Sequence, residues 1–241
     1  MTEYVLRIEL QKPESAILEE LRNKLPYMKM LDIGVGAGRT TKHFAGLTKE
    51  YVGVDYSSTM IKICRQKFPQ YKFEVADAKN LSSFSDSYFD FAFFSFNGID
   101  SVEHATRLEI LREIRRVTRK GGYFGFSTHN LNYWQSNIFV LSKNPVILFS
   151  NVCNLLLSRF LNRKNWPIMR QTTRKEQYAM VYHNYKNNLF RSYYVTPNEQ
   201  MEQLKFSGFS NTKAYYLQSG KVSNNPANMF DKWIYFLAKA T

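Results

Sequence analysis

Short apolar runs recur along this chain, several of them ending in an acid, and stretches with helical spacing lie between them. Leu6, Ile8 and Leu10 alternate with Arg7 and Glu9, a period of two that predicts a half-buried strand or arm over residues 4–10. Pro13 then opens a helix with Ile17, Leu18, Leu21 and Leu25 on one face, and Pro26 closes it. Met28, Met30, Leu31 and Ile33 predict a first core strand, residues 51–55 a second and residues 73–78 a third. Residues 91–96 are apolar almost throughout, the pattern of a strand buried on both faces. Met60, Cys64 and Phe68 recur at helical spacing between the second and third strands. Residues 104–119 predict an amphipathic helix with Leu108, Leu111, Ile114 and Val117 inward and Arg107, Arg112, Glu113, Arg116 and Arg119 outward. Lys120-Gly121-Gly122 is expected to cap that helix ahead of a fifth strand over 123–128. Thr196-Pro197-x-Glu199 reads as the capped start of a helix through Phe206, and 213–218 and 229–239 supply two last strands.

The chemistry begins where the first strand turns into its helix. Asp32 is followed by Gly34, Gly36 and Gly38, a run that permits positive φ and close approach of a ligand to the backbone. A dinucleotide fingerprint would place its third glycine at position 39, where this chain has Arg39. Asp32 would repel a pyrophosphate but attract a ligand carrying an ammonium or sulfonium charge. The run resembles motif I of the class I S-adenosylmethionine-dependent methyltransferases, Asp/Glu-x-Gly-x-Gly-x-Gly. Asp55 closes the second strand about twenty residues after the first glycine, the separation at which a βαβ unit delivers a carboxylate to a ribose. It resembles motif II, which implies that it accepts both ribose hydroxyls. Tyr56 and Met60 are placed to sandwich adenine, with core packing the competing reading for Met60. Asp77 and Ala78 resemble motif III, implying that Asp77 accepts from the adenine amino group while the Ala78 backbone donates to the ring. Residues 91–96 resemble motif IV, so Ser95, Phe96 and Asn97 are expected to border the methionyl and methyl end of the cofactor. The Asp/Asn-Pro-Pro-Tyr turn of enzymes that methylate exocyclic amines of nucleic acid bases is missing there, which argues against that reaction.

Length and composition fit one α/β domain with an insertion: 241 residues, 44% hydrophobic and 16% aromatic. The formal net charge of +13 admits anionic small molecules, a membrane surface or nucleic acid as partners, or simply a solvated basic surface. Cys64 and Cys153 fit no metal spacing, no metal is expected, and a reducing cytoplasm is the expected compartment. Cys64 shares the apolar helix face and is not expected to act as a nucleophile. Most of the charge surplus lies in residues 131–191, where nine Lys and Arg stand against Glu176 alone. The first half of that stretch is apolar and predicts two short helices over the active site, a lid; an interfacial lipid anchor is the alternative. His183, Tyr182, Tyr185, Tyr193 and Tyr194 would line an acceptor pocket or pack as aromatics.

The resemblance implies a doubly wound, mostly parallel sheet of seven strands in the order 3-2-1-4-5-7-6, the seventh antiparallel. The expected organisation is 1–130 as the first part of the core, 131–191 as the inserted lid and 192–241 as the rest. It implies S-adenosylmethionine as cofactor and S-adenosylhomocysteine as product, with methyl transfer to an oxygen or nitrogen of a small or medium-sized acceptor. An RNA methyltransferase using the basic insertion, and a silent cofactor-binding partner of another methyltransferase, are the alternatives. His129, just past the fifth strand, is placed to deprotonate or orient the acceptor, or else to bond a neighbouring loop; Asp100 and His104 stand behind it as candidate bases. Tyr4 or Tyr27, flanking the leading helix, would reach the cofactor or pack on the sheet.

Overall fold

The computed structural model describes residues 9–133, 173–185, 188–223, 225–226, 229 and 231–241. The expected arm over 4–10 and the apolar half of the insertion lie largely or wholly outside the described residues.

Five parallel strands form the centre: β1 (Lys29–Ile33), β2 (Glu50–Asp55), β3 (Lys72–Val75), β4 (Phe89–Phe94) and β5 (Thr118–Asn130), in the order β3-β2-β1-β4-β5. At the far edge β10 (Trp233–Ala240) runs antiparallel to β5 and carries β9 (Phe209–Tyr216) antiparallel on its other side. This is the expected 3-2-1-4-5-7-6 order. The sheet nevertheless has ten strands among the described residues, because the insertion adds β6 (Thr173–Arg174), β7 (Tyr178–Tyr185) and β8 (Asn188–Val195). β7 and β8 form an antiparallel hairpin, and β8 pairs parallel to β5 at His129↔Tyr194 and Asn130↔Val195. β4 pairs with β5 only as far as Phe94↔Phe126, so the hairpin takes the edge that β4 leaves open. The boundary expected at 191/192 falls inside β8.

Alternation along the central strands sends side chains into two cores. Leu31, Ile33, Ala92, Phe94, Phe124 and Phe126 face one side, covered by α4 (His104–Val117) and α5 (Pro197–Phe206). Met30, Tyr51, Phe91 and Phe93 face the other, covered by α1 (Lys12–Leu21), α2 (Thr41–Phe44) and α3 (Ser58–Lys67). Both faces of β1, β2 and β4 are therefore buried, which is why those strands read as largely apolar runs. The covering helices end as their sequences direct: the Ser57 side chain accepts from Met60 N at 3.4 Å to start α3, and Thr196 accepts from Glu199 N at 3.3 Å to start α5.

Two expectations for α4 are corrected. Arg107 faces inward and is fully buried, since it continues the stripe Ile110, Leu111, Ile114 and Val117 by one turn. Gly121 and Gly122 do not cap the helix; Thr118 already leaves it in extended conformation, and both glycines sit within β5 at the shift of register against β4. A Cβ on Gly122 would stand 2.8 Å from the Asp90 carbonyl, so the strands approach closely only without one.

Candidate active site

The glycine turn opens a cavity of about 280 Å³ at the carboxyl end of β1, lined by Asp32, Gly34, Gly36, Gly38, Arg39, Thr40, Lys42, Lys67, Phe68, Ser95 and Phe96, among others. Gly34, Gly36 and Gly38 all take positive φ, and a Cβ on Gly36 would meet nothing nearer than the Gly34 carbonyl at 4.0 Å. That face of the turn is left open to a ligand. Asp55, at the end of β2, accepts from Gly36 N and from Ser57 N, each at 2.9 Å. One buried carboxylate thus holds the turn against the start of α3. Cys64 donates its thiol to the Gly36 carbonyl at 3.1 Å, and burial, with Asp32 and Asp55 near, pushes it up to about 12. It is an inert strut.

Asp32 is buried behind the turn, accepting from Thr40 Oγ1 at 2.5 Å and from the Tyr51 hydroxyl at 2.6 Å. Burial raises its carboxyl to about 6, although both hydrogen bonds and Arg39 act in the opposite direction. Tyr56 is 82% exposed and Met60 partly so; Asp77 is exposed just past β3, where it accepts from Lys79 N at 2.9 Å, and Ala78 is half-buried beside it. None of these four lines the cavity. They stand at the ends of β2 and β3, farther along the same edge of the sheet. Tyr27 is 80% exposed, so it does not pack on the sheet, and it does not line the cavity.

α1 is clamped over the cavity by a group that motif reading passes over. Glu14 is fully buried and takes both guanidinium nitrogens of Arg39, at 2.5 and 2.6 Å, together with the Ser95 hydroxyl and the Tyr235 hydroxyl, the latter at 3.1 Å. Arg39 also lies over the Phe96 ring, 5.2 Å from its centroid. The signal was available, because Glu14 shares the inward stripe of Ile17, Leu18 and Leu21, where a charge needs a partner.

Beyond Ser95 the chain makes a left-handed pair, Phe96 at φ 58° and Asn97 at φ 59°. Two adjacent non-glycine residues there store about 1–2 kcal/mol each. Asn97 N is held by the Ser127 hydroxyl at 2.7 Å, and the reversal delivers the 3₁₀ turn Gly98–Ser101, hence Asp100, beneath the end of β5. Asp100 is buried, and its Oδ2 accepts from both the backbone N and the ring Nδ1 of His129, each at 2.7 Å. Its Oδ1 takes Arg107 and the Thr128 hydroxyl, the latter at 2.8 Å. With Nδ1 so engaged, His129 presents Nε2, which lies 3.5 Å from the Asn97 amide nitrogen, the outer limit of a hydrogen bond. The ring packs between Tyr194, at 4.8 Å, and Trp233, at 6.0 Å, and Trp233 meets Phe96 of the cavity wall at 5.0 Å. His129 lies within β5 rather than beyond it.

His104 does not join this pair. Its Nδ1 meets the Tyr193 hydroxyl at 2.6 Å, its ring stacks on Tyr178 at 4.1 Å, and burial lowers its proton affinity. Tyr193 is wholly buried and Tyr194 nearly so; the side chains of His183 and Tyr185 lie outside the described residues.

Comparisons with known proteins bear on the fold that carries this site. Residues 31–126 match the family model described as a methyltransferase domain. A demethylmenaquinone methyltransferase of Paenarthrobacter aurescens is 35% identical over 94 residues, 39% of this chain and 36% of that protein. A ubiquinone/menaquinone biosynthesis C-methyltransferase of Burkholderia cenocepacia is 34% identical over 107 residues, 42% of each chain. The match thus spans well under half the length of these curated relatives. Among solved structures, an S-adenosylmethionine-dependent methyltransferase of Clostridium acetobutylicum superposes with a TM-score of 0.64 at 14% identity, over 95% of this chain and 91% of that one.

Proposed function

From the match of residues 31–126 to a methyltransferase domain, we propose that the chain transfers a methyl group from S-adenosylmethionine to a small acceptor that loses a proton to His129. The observation that carries this reading is the Asp100–His129 pair, set at the end of β5 behind the Trp233 ring, which meets the Phe96 wall of the glycine-turn cavity. S-adenosylmethionine, when bound, supplies a methyl on a positively charged sulfur. The open face of Gly36 gives it access to the backbone, and the Asp32 carboxylate in the cavity lining suits its positive charge. Asp55 would accept the ribose hydroxyls, and Asp77 with the Ala78 amide would take the adenine edge, with Tyr56 beside it. Ser95, Phe96 and Asn97 would border the methionyl end.

On the acceptor side His129 Nε2 takes the proton of an acidic O–H or N–H as that atom attacks the methyl carbon. Asp100 keeps Nδ1–H in place and stabilises the imidazolium that results. Phe96, Trp233 and Tyr194 exclude water from the transfer and suit a flat acceptor. Proximity and a dry site supply most of the rate, because the leaving thioether needs no protonation.

A second reading has the same proton transfer activate a ring carbon. The identity to quinone methyltransferases favours it: loss of a ring hydroxyl proton makes the adjacent carbon nucleophilic, the methyl bonds to that carbon instead of oxygen, and the carbon then gives up its own proton as the ring oxygen is reprotonated. The deciding experiment incubates the protein with a metabolite extract and S-adenosylmethionine, follows S-adenosylhomocysteine release, and identifies any methylated product by mass spectrometry and its methylated atom by NMR. A C-methyl product selects the second reading. Absence of S-adenosylmethionine binding in calorimetry, or release of no S-adenosylhomocysteine with any extract, refutes both.

A further inference from the structure

Arg107 is the largest fully buried side chain on the acceptor side, and cofactor chemistry gives it no task. Its Nη1 donates to Asp100 Oδ1 and to the Ile99 carbonyl, the latter at 3.2 Å; its Nη2 donates to Gln200 Oε1 at 2.6 Å and to Thr128 Oγ1 at 3.1 Å. The Tyr193 ring of the inserted hairpin lies 4.7 Å from the guanidinium carbon. An arginine enclosed this completely is costly to bury and is retained in a fold only with its counter-charge in place. The counter-charge is Asp100, the same carboxylate that holds His129.

We infer that Arg107 is a positioning residue of the pair: its charge cancels that of Asp100, so the carboxylate stays ionised and orients His129 without driving the imidazole to its protonated form. The inference rests on the reading of His129 as the base. An uncancelled carboxylate at hydrogen-bond distance in a buried site would hold a proton on the imidazole, and a charged imidazole cannot accept one from the acceptor. With Arg107 on Oδ1, the pair presents His129 with an acceptor for Nδ1–H and little net charge. The groups facing His129 from the surrounding elements are otherwise uncharged: Asn97 from the loop after β4, Thr128 from β5, Tyr194 from β8 and Trp233 from β10. Arg107 is therefore the only other charged side chain in direct contact with the pair among the described residues. The hairpin shares in the arrangement, because consecutive β8 residues serve the two partners: Tyr193 lies against Arg107 and Tyr194 against His129.

The test is an imidazole ¹⁵N NMR titration of His129 in the full chain, assigned by comparison with His129→Ala. Wild type, with Nδ1 bonded to Asp100 Oδ2, supplies the reference titration. In Arg107→Gln the proton affinity of His129 should rise about tenfold or more, as expected for a charge left uncancelled beside it. Arg107→Lys, which restores the charge, should bring it back. An unchanged titration in folded Arg107→Gln overturns the inference. Should that variant not fold, the pair Asp100→Asn and Asp100→Asn/Arg107→Gln decides instead. The single change leaves Arg107 uncancelled and should lower the proton affinity of His129, whereas the double change removes both charges and should return it to within about threefold of wild type. A double variant that titrates as Asp100→Asn does overturns the proposal. These titrations need no acceptor, so they fail or succeed separately from the base assignment, which the turnover of His129→Ala tests. Where turnover is measurable, the acid limb of its pH profile should move with the NMR titration in each variant, a change that a merely structural Arg107 would not produce.

Discussion

The glycine-turn side and the His129 side of this molecule are built in different ways. On the first, each acid stands at or just past the end of a strand, Asp32 on β1, Asp55 on β2 and Asp77 after β3, and neighbouring strands bring them to one edge. On the second, Asp100 comes from a 3₁₀ turn, Arg107 from α4, His129 from β5, Tyr193 and Tyr194 from β8 and Trp233 from β10. The first is an arrangement of spacing and the second an arrangement of tertiary contacts. A parallel sheet can present the same cofactor edge whatever is inserted later, while the other side changes with each insertion.

If the two sides divide the work, damage to one should spare the other. The largest effect is expected from His129→Ala, which should lower turnover by about 10²–10⁴ while S-adenosylmethionine affinity stays nearly unchanged. Steady-state S-adenosylhomocysteine release and calorimetry measure the two quantities. Equal loss in both would mean that the sides are not separable.

Arg39 joins the two halves through Glu14, Ser95 and Phe96. Arg39→Ala would leave the fully buried Glu14 carboxylate without its cation, at a cost of about 3–5 kcal/mol in stability. For a chain of this length that lowers Tm by roughly 6–20 °C. Arg39→Ala/Glu14→Gln should recover part of the loss in the same thermal scan. A variant that melts with wild type would show that α1 is not held by this pair.

Asp55→Ala is the counterpart of the His129 change. It should weaken S-adenosylmethionine binding by about 1.5–3 kcal/mol, as for lost hydrogen bonds to a charged acceptor, and leave turnover of the saturated protein within about threefold. Part of the loss would come through the turn, because Gly36 N and Ser57 N both lose their acceptor. Calorimetry that finds wild-type affinity in the folded variant would remove Asp55 from the ribose role.

The contrast also explains what was legible beforehand. The core order follows from the family resemblance, whereas the glycine turn and the strand-end acids follow from local pattern, because a strand ending in an acid is written in consecutive residues. The Asp100–His129 contact joins residues 29 positions apart, and only the family resemblance pointed to His129. Arg107 was misplaced because a basic residue on an amphipathic helix defaults to the solvent face, although its spacing from Ile110, Leu111 and Ile114 already put it inward. The hairpin β7–β8 reads in sequence only as aromatics that line a pocket or pack, since Tyr178 to Val195 is polar enough to pass for a loop until β5 offers it an edge. Of the two readings of Tyr27, reach to the cofactor or packing on the sheet, its exposure removes the packing.

The smallest effect is a pH dependence that separates Asp32 from the rest of the cofactor side. Its carboxyl, raised by burial to about 6, is neutral in the folded protein at pH 5 and ionised at pH 7, while in the unfolded chain it is ionised at both. The folded state therefore binds the extra proton. The stability that this proton contributes is full below the ordinary aspartate range near pH 4 and is lost as pH rises through about 6. Cofactor affinity should run the other way, because only the ionised carboxylate attracts the ammonium and sulfonium charges of S-adenosylmethionine. Binding should tighten about tenfold between pH 5 and pH 7, following the ionised fraction of a group that titrates midway. Asp32→Asn, which keeps the Thr40 and Tyr51 side chains within reach of an acceptor, should bind weakly and with no such slope. Calorimetry at the two pH values on both proteins checks it, and a slope that survives in Asp32→Asn would assign the titration to another group.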